Sequence, residues 1–376
     1  MDAEPHGRPE SRFWALSGFS DLCPKRCIRK TLRWLFLTLL LLVVGHESAL
    51  AQPFGGQRVF PFLDLPTHAR VAALGGQVAT ATNPDGVYFL NNPALADSAK
   101  RNELAISLMP YLAAAKYYTL QYAVPVQTKN SRWALGLQYL TYGQFTLTDP
   151  VGNSLGTFTA NDYALSLTHA RTEGNFTLGA TVKAVGSAIE TYSAFGVLAD
   201  LGGIWRHPNG NLTVGLVARN AGYLLKNYGP GDADLPFDLQ AGVTIKPRYA
   251  PVRLTLTAHH LHRFDIAYND PNLNVQYDLN GNPIPQPVGT VEKIARHLSV
   301  GAELLISRYV HILLGYNHQR RQEGKLTTGG GGAGISFGAS VQARGFQLTY
   351  GRFSYAPAAG GSSQLSLRVD LDRFVK

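Results

Sequence analysis

The chain holds two cysteines in 376 residues, Cys23 and Cys27. Both precede the point at which an export leader ends, so the exported chain holds none. That excludes disulfides, thiolate metal sites and a cysteine nucleophile. Charge is sparse, at 16% of residues. The basic residues form no long run and no nucleic-acid motif, which argues against nucleic acid as a partner. No Gly-x-Ser-x-Gly turn occurs. Gly329–Gly332 has no Lys-Ser/Thr after it and opens a strand pattern, so it is no phosphate loop. Asp149-Pro150-Val151-Gly152-Asn153 is ordinary turn chemistry. Nothing indicates an enzyme, and no catalytic or metal-ligating set and no cofactor are assigned.

Long apolar runs are missing too. Trp34–Val44 spans eleven residues, against about 20 for a membrane-crossing helix. Arg26, Arg29, Lys30 and Arg33 precede it, and Ala49-Leu50-Ala51 follows. This is the layout of a signal peptide over 1–51, cleaved between Ala51 and Gln52. The stretch before Arg26 is long for such a leader, which an upstream start-codon assignment explains. The leader takes seven of the 34 basic and five of the 25 acidic residues, leaving 27 and 20, a net charge of +7.

What is present is a repeated pattern. From Leu104 to Leu371, stretches of eight to twelve residues alternate apolar with small or polar ones, about fourteen times. Leu365, Leu367, Val369 and Leu371 stand against Ser366, Arg368 and Asp370; Trp133, Leu135, Leu137 and Tyr139 stand against Ala134, Gly136 and Gln138. Successive side chains on a strand point to opposite faces, so each stretch reads as a strand with one greasy and one wet face. A transmembrane strand needs about 9–11 residues. The expected strands are 104–109, 115–124, 132–140, 161–170, 175–186, 195–206, 211–220, 237–246, 252–263, 296–306, 309–318, 333–341, 345–353 and 363–371.

Connectors sort by length. Those after even-numbered strands are short, as at His207–Gly210 and Ser307–Arg308. Those after odd-numbered strands include Thr141–Ala160, Ala221–Pro236, Phe264–Ala295 and Gln319–Gly332. Outer-membrane barrels have short periplasmic turns and longer external loops. The expected fold is all-β: a 14-stranded antiparallel transmembrane β-barrel, integral to a bacterial outer membrane, with lipid around its wall. Lys183, Asp200, Arg219, Asp238, Arg253, Glu303 and Arg368 all fall on the polar face. An Arg or Lys facing lipid at mid-depth costs about 2–4 kcal/mol, which explains the segregation. His169, His260 and His318 fall on the apolar face at expected strand ends. Tyr118, Tyr122, Tyr139, Trp205, Tyr316 and Tyr350 are candidates for aromatic girdles.

Residues 52–101 lack the repeat and are rich in small and turn residues. They read as an N-terminal hatch that plugs the lumen, ahead of a barrel over 102–376. Its structural motif is Gly75-Gly76, which permits close backbone approach, and Asn92-Pro93. Inward acids and bases are expected to form ion pairs that hold this plug. His259, His260 and His262 invite a metal reading, but on a strand only His260 and His262 share a face, too few ligands for zinc. The loop Asp265–Glu292 carries Asp270-Pro271, Asn280-Gly281 and Pro285-Gln286-Pro287, which favour irregular backbone. With Tyr268 and Tyr277 as aromatic anchors, beside Asp270 and Asn280, it is the candidate partner-binding loop.

The segment Ala69–Gly76, then Asn92-Pro93-Ala94-Leu95, ahead of fourteen strands resembles the FadL-type barrels. Further stretches resemble their PorV/PorQ group in the type IX secretion system: Gln57–Pro66, Thr141–Phe145, Asn161–Leu165, Leu235-Pro236-Phe237, and Ala250–Leu254 leading to His259-His260-Leu261. This resemblance implies a non-enzymatic barrel that anchors attachment-complex partners at the cell surface, a PorZ-like protein with PorU and PorV. The wider FadL-type resemblance implies the alternative, a transporter of long-chain fatty acids or other hydrophobic compounds.

Overall fold

A computed structural model describes residues 58–81, 87–98, 102–125, 130–229, 231, 233–267, 276–277, 283–284, 288–324, 332–354 and 361–374. The leader and the cleavage residues Ala51 and Gln52 lie outside them. Fourteen strands close a barrel. They are β1 (Glu103–Pro110), β2 (Lys116–Val124), β3 (Ser131–Thr148), β4 (Ser154–Glu173), β5 (Phe176–Ile189), β6 (Tyr192–Arg206), β7 (Leu212–Lys226), β8 (Asp238–Ile245), β9 (Val252–Ala258), β10 (Leu298–Leu305), β11 (Val310–Asn317), β12 (Ile335–Ala343), β13 (Phe346–Ser354) and β14 (Gly361–Asp370). Each pairs antiparallel with its chain neighbours, and Ile106 opposite Leu367 closes β1 onto β14.

Alternation decides which side chains face out. On β3, Trp133, Leu135, Leu137 and Tyr139 are exposed, while Ala134 and Gln138 are buried. A one-residue slip would exchange the two sets, so the pattern fixes the register. All seven charged residues read onto the polar face are buried inside the barrel. Tight turns close the short-connector end. Arg344 and Gly345, both at positive φ, form a two-residue link between β12 and β13, the geometry that matches strand twist.

Three expectations need correction. Thr141–Ala160 is mostly a β-ribbon, not an irregular loop. β3 and β4 stay paired out to Thr148 and Ser154, past a register shift after Thr141. At its tip Asp149 accepts backbone hydrogen bonds from Val151 and Asn153, and the bonds from Asn153 hold its carboxyl below the usual range. Second, β9 ends at Ala258 rather than 263. His259 N still bonds His297 O, one rung past Ala258 opposite Leu298, but His260 adopts φ 57° and takes the chain out of the ladder. His260 and His262 therefore do not share a strand face. Third, His318 does not end a strand; it opens a short helix, His318–Glu323, capped by Asn317 accepting from Arg320 N.

The hatch fills the lumen. Its chain starts near the outer strand ends, where Phe60, Phe62 and Leu63 pack with Met109, Tyr117, Leu140 and Phe353. It then forms helix α1 (Ala69–Ala73), whose first turn is capped by His68 Nδ1 accepting from Arg70 N. It finishes near the short-turn end, with Val87, Phe89 and Leu90 against Ala105, Ala123, Ala134 and Ala170.

Candidate functional site

Two regions decide what can pass: the seam between hatch and wall, and the outer rim above β7–β9.

At the seam, backbone meets backbone. Gly351, Gly315 and Gly179 face inward where the hatch runs past. A Cβ on Gly351 would lie 2.2 Å from Ala69 O, one on Gly315 2.3 Å from Gly75 N, and one on Gly179 2.4 Å from Pro93 C. Real side chains do not fit there, so the wall uses glycine for close approach. Wall hydroxyls and amides then satisfy hatch backbone: Ser366 Oγ accepts from Ala69 N, Ser336 Oγ donates to Ala73 O, Thr119 donates to Thr67 O and Gln364 to Pro66 O. Buried backbone groups need such partners.

The predicted hatch residues sit in this seam. Gly75, at φ 97°, accepts from Asn317 Nδ2 at 3.3 Å. A Cβ on Gly76, at φ 83°, would press on the Arg320 guanidinium. Asn92 donates from Nδ2 to Ala79 O at 2.8 Å and accepts at Oδ1 from Ala94 N, which starts the 3-10 turn at Pro93. Gly179, Gly315 and Gly351 are wall positions that the sequence reading does not single out. Their signal was present in the alternating pattern, but not what they face.

Charges complete the seam. Glu303 Oε2 receives Arg70 from the hatch and Arg253 from the wall, each at 2.6 Å, and Oε1 lies 3.1 Å from His311 Nδ1. Arg206 holds Asp97 at 2.6 Å, and Arg219 donates to Leu63 O. Lys183 is paired with Asp200 and Asn220, and Arg368 with Glu103. Arg70–Glu303, the part-buried Arg206–Asp97 pair and the Arg219 bond to Leu63 O join hatch to wall. Buried pairs are costly to break, so these fix where the hatch sits. The Lys183 and Arg368 pairs tie neighbouring wall strands. The cavity left beside Val71, Leu74 and Tyr88 is about 10 Å³, room for about one water.

The outer rim differs. β7 and β8 pair only up to Arg219 opposite Asp238, and β8 and β9 only up to Ala241 opposite Ala258. Beyond those pairs the wall is finished by returning chain. Arg58, where the described hatch begins, forms a parallel bridge with Asp234, and Leu261 N bonds Leu239 O. An open cavity of about 410 Å³ remains, lined by Leu224, Leu235 and Phe237 and by Arg58, Asp234, His262 and Arg263. Phe237 meets the His262 ring edge to face at 5.1 Å. Burial pushes His262 down to about 4.

The candidate partner loop is described only in part. Tyr268, Asp270 and Asn280 lie outside the described residues, as does the side chain of Tyr277, whose backbone pairs with Pro283. At the base of the loop, Lys293 bonds Asp265 at 2.5 Å and holds its carboxyl below the usual range.

No family model and no curated protein matches the chain. Solved structures do. A deletion mutant of the monoaromatic hydrocarbon channel TodX aligns with TM-score 0.50 and 13% identity, over 81% of this chain and 98% of that one. The Ralstonia pickettii toluene transporter TbuX aligns at 0.48 and 11%, over 83% and 98%. A Pseudomonas aeruginosa FadL homologue aligns at 0.44 and 12%, over 81% and 98%. The structural neighbours are FadL-type outer-membrane barrels. They are channels and transporters rather than enzymes. At these identities the likeness carries the fold alone.

Proposed function

We propose that this outer-membrane barrel admits small hydrophobic compounds through the cavity at its outer rim. The observation that carries the reading is that open cavity: about 410 Å³, lined by Leu224, Leu235 and Phe237 together with Arg58, Asp234, His262 and Arg263, where the β7–β8–β9 ladder stops and the described hatch begins. Ligand pockets are typically about 300–1,000 Å³, mostly apolar, with a few polar groups for orientation. The shared fold with a monoaromatic hydrocarbon channel supports it. The test is uptake of labelled toluene and of a long-chain fatty acid by proteoliposomes holding the mature barrel. Leu224→Trp with Leu235→Trp fills the cavity and should reduce uptake about tenfold. An intact barrel that takes up neither compound sinks the reading.

A second reading has its own observation. Beside Val71, Leu74 and Tyr88 the seam leaves about 10 Å³, which suits a wall built to stay shut there. On that reading the barrel is a type IX secretion component of the PorV/PorQ kind, holding a PorZ-like protein with PorU and PorV through its outer loops. Co-purification in mild detergent tests it directly. Gene deletion should abolish surface attachment of secreted cargo and leave hydrocarbon uptake intact. The transport reading expects the reverse.

A further inference from the structure

Around the short-turn rim, two turns hold a basic residue paired with an acid, and three others read as basic in sequence, with the Arg373–Asp370 pair beyond the last of them. At the β4–β5 turn, Arg171 is paired with Glu173, and at the β6–β7 turn Arg206 is paired with Asp97. Three neighbouring turns follow on the far side, because β8, β9, β10, β11, β12 and β13 are consecutive around the wall. They read Lys246-Pro247-Arg248-Tyr249, Ser307-Arg308-Tyr309 and Arg344-Gly345, four basic residues and no acid. Arg248, Arg308 and Arg344 are exposed. Successive turns stand two strands apart, about 10 Å. Two carry the same device: the Arg248 guanidinium lies 5.9 Å from the Tyr249 ring centre and that of Arg308 4.6 Å from Tyr309. Tyr249 is 92% exposed and Tyr309 48%. Stacking on its neighbour holds each guanidinium beside a ring of the kind that settles at a membrane surface.

We propose that this arc binds the headgroups of anionic phospholipids in the leaflet facing the short-turn end. Charge complementarity selects the occupant. The arc is cationic over three turns and lies where strands leave the hydrocarbon layer, so phosphate groups are the nearest anions at its depth. Arginine suits them because its planar fork gives two parallel hydrogen bonds to phosphate oxygens. The arc also makes the barrel's lipid shell asymmetric, with anionic lipid concentrated beside β8–β13.

The proposal rests on the membrane-barrel reading, so the two are tested apart. Insertion of the mature chain into neutral phosphatidylcholine vesicles, read by protease protection, tests the barrel. Native mass spectrometry from mild detergent, with phosphatidylglycerol and phosphatidylcholine supplied equally, tests the arc. The intact barrel should retain phosphatidylglycerol at least tenfold over phosphatidylcholine. Lys246→Gln, Arg248→Gln, Arg308→Gln and Arg344→Gln together should abolish that preference without affecting insertion, since all four lie in turns. Arg171→Gln with Glu173→Gln, on the opposite side, should leave it unchanged. Equal retention of both lipids by the intact barrel overturns the proposal. So does a quadruple variant that keeps the preference, or an arc that binds purified cell wall with no lipid preference.

Discussion

Along β11 to β14 the wall and the hatch meet through main-chain atoms, with glycine on the wall and wall hydroxyls bonded to hatch backbone. At the outer ends of β7 to β9 the ladder stops and the chain closes the wall with returning loops, leaving about 410 Å³ against about 10 Å³ at the seam. One barrel thus combines an overdetermined contact with an underdetermined one. In the first region the wall strands are paired throughout, and wall hydroxyls bond hatch backbone at Ala69, Ala73 and Gly75. In the second, single bonds such as Val59 N to Asp234 O and Leu261 N to Leu239 O do the same task more loosely. Regions closed by few bonds open at lower free energy, so a route for small apolar molecules belongs at the rim.

The contrast is broken most strongly at Glu303. Glu303→Gln leaves the guanidiniums of Arg70 and Arg253 buried without their shared anion. Removing one partner of a buried pair costs about 3–5 kcal/mol. Urea unfolding in micelles should show that loss, and hatch amides around Arg70 should exchange faster than those near Val59. A loss below about 1 kcal/mol would place the seam's strength elsewhere.

Gly351→Val should have the next largest effect. Its Cβ would meet Ala69 O at 2.2 Å, and overpacking costs about 1–3 kcal/mol. The hatch must shift, so single barrels in planar bilayers should leak where the parent does not. An unchanged conductance would show that α1 can retreat without opening the lumen.

Much of this wall was legible. Fourteen strands and their faces follow from alternation, because lipid outside and a polar plug inside leave no freedom in register. Lys183, Arg253 and Glu303 were readable as inward for the same reason. What they bind was not, since Arg70 and Glu303 are 233 positions apart. The rim was misread where solvent and returning chain replace lipid. His259 continues the alternation of β9 and still bonds His297 O, but His260 at φ 57° ends the strand. Thr141–Ala160 contains Gly, Pro and Asn as a loop would, yet Phe145 stacking on Phe158 at 5.3 Å helps hold it as a ribbon.

A smaller effect sharpens the comparison through pH. His259 and His262 lie beyond the end of β9. Burial is the main cause that pushes them down, to about 3 and about 4. His260, Asp238, Arg320 and His297 face the first; Asp238, His260, Arg263 and Arg58 face the second. Unfolded imidazoles take a proton near 6.5 while these stay neutral. Their stabilisation of the folded rim is therefore complete above about pH 6.5. It is lost as pH falls toward 4 and then 3. Hydrogen exchange at 259–264, corrected for the intrinsic pH dependence of amide exchange, should accelerate over that window while exchange at the seam around Ala73 does not. His259→Gln with His262→Gln should flatten the dependence. If the seam accelerates equally, the two regions are one cooperative unit.

The smallest expected effect is the most discriminating. Thr80 and Thr244 place their hydroxyls 2.7 Å apart across the seam, and the sequence from residue 52 onward holds no cysteine to interfere. Thr80→Cys with Thr244→Cys should oxidise to a bridge that ties hatch to wall. If compounds enter and leave at the rim, uptake should change by less than about twofold on oxidation, a free-energy difference under about 0.5 kcal/mol. A bridge that blocks uptake, with recovery on reduction, would mean that the hatch itself moves and that the seam's tight contacts are one state of a gate. A barrel that transports nothing in either redox state, yet holds its partners in both, would leave the seam as a permanent wall and hand the function to the outer loops.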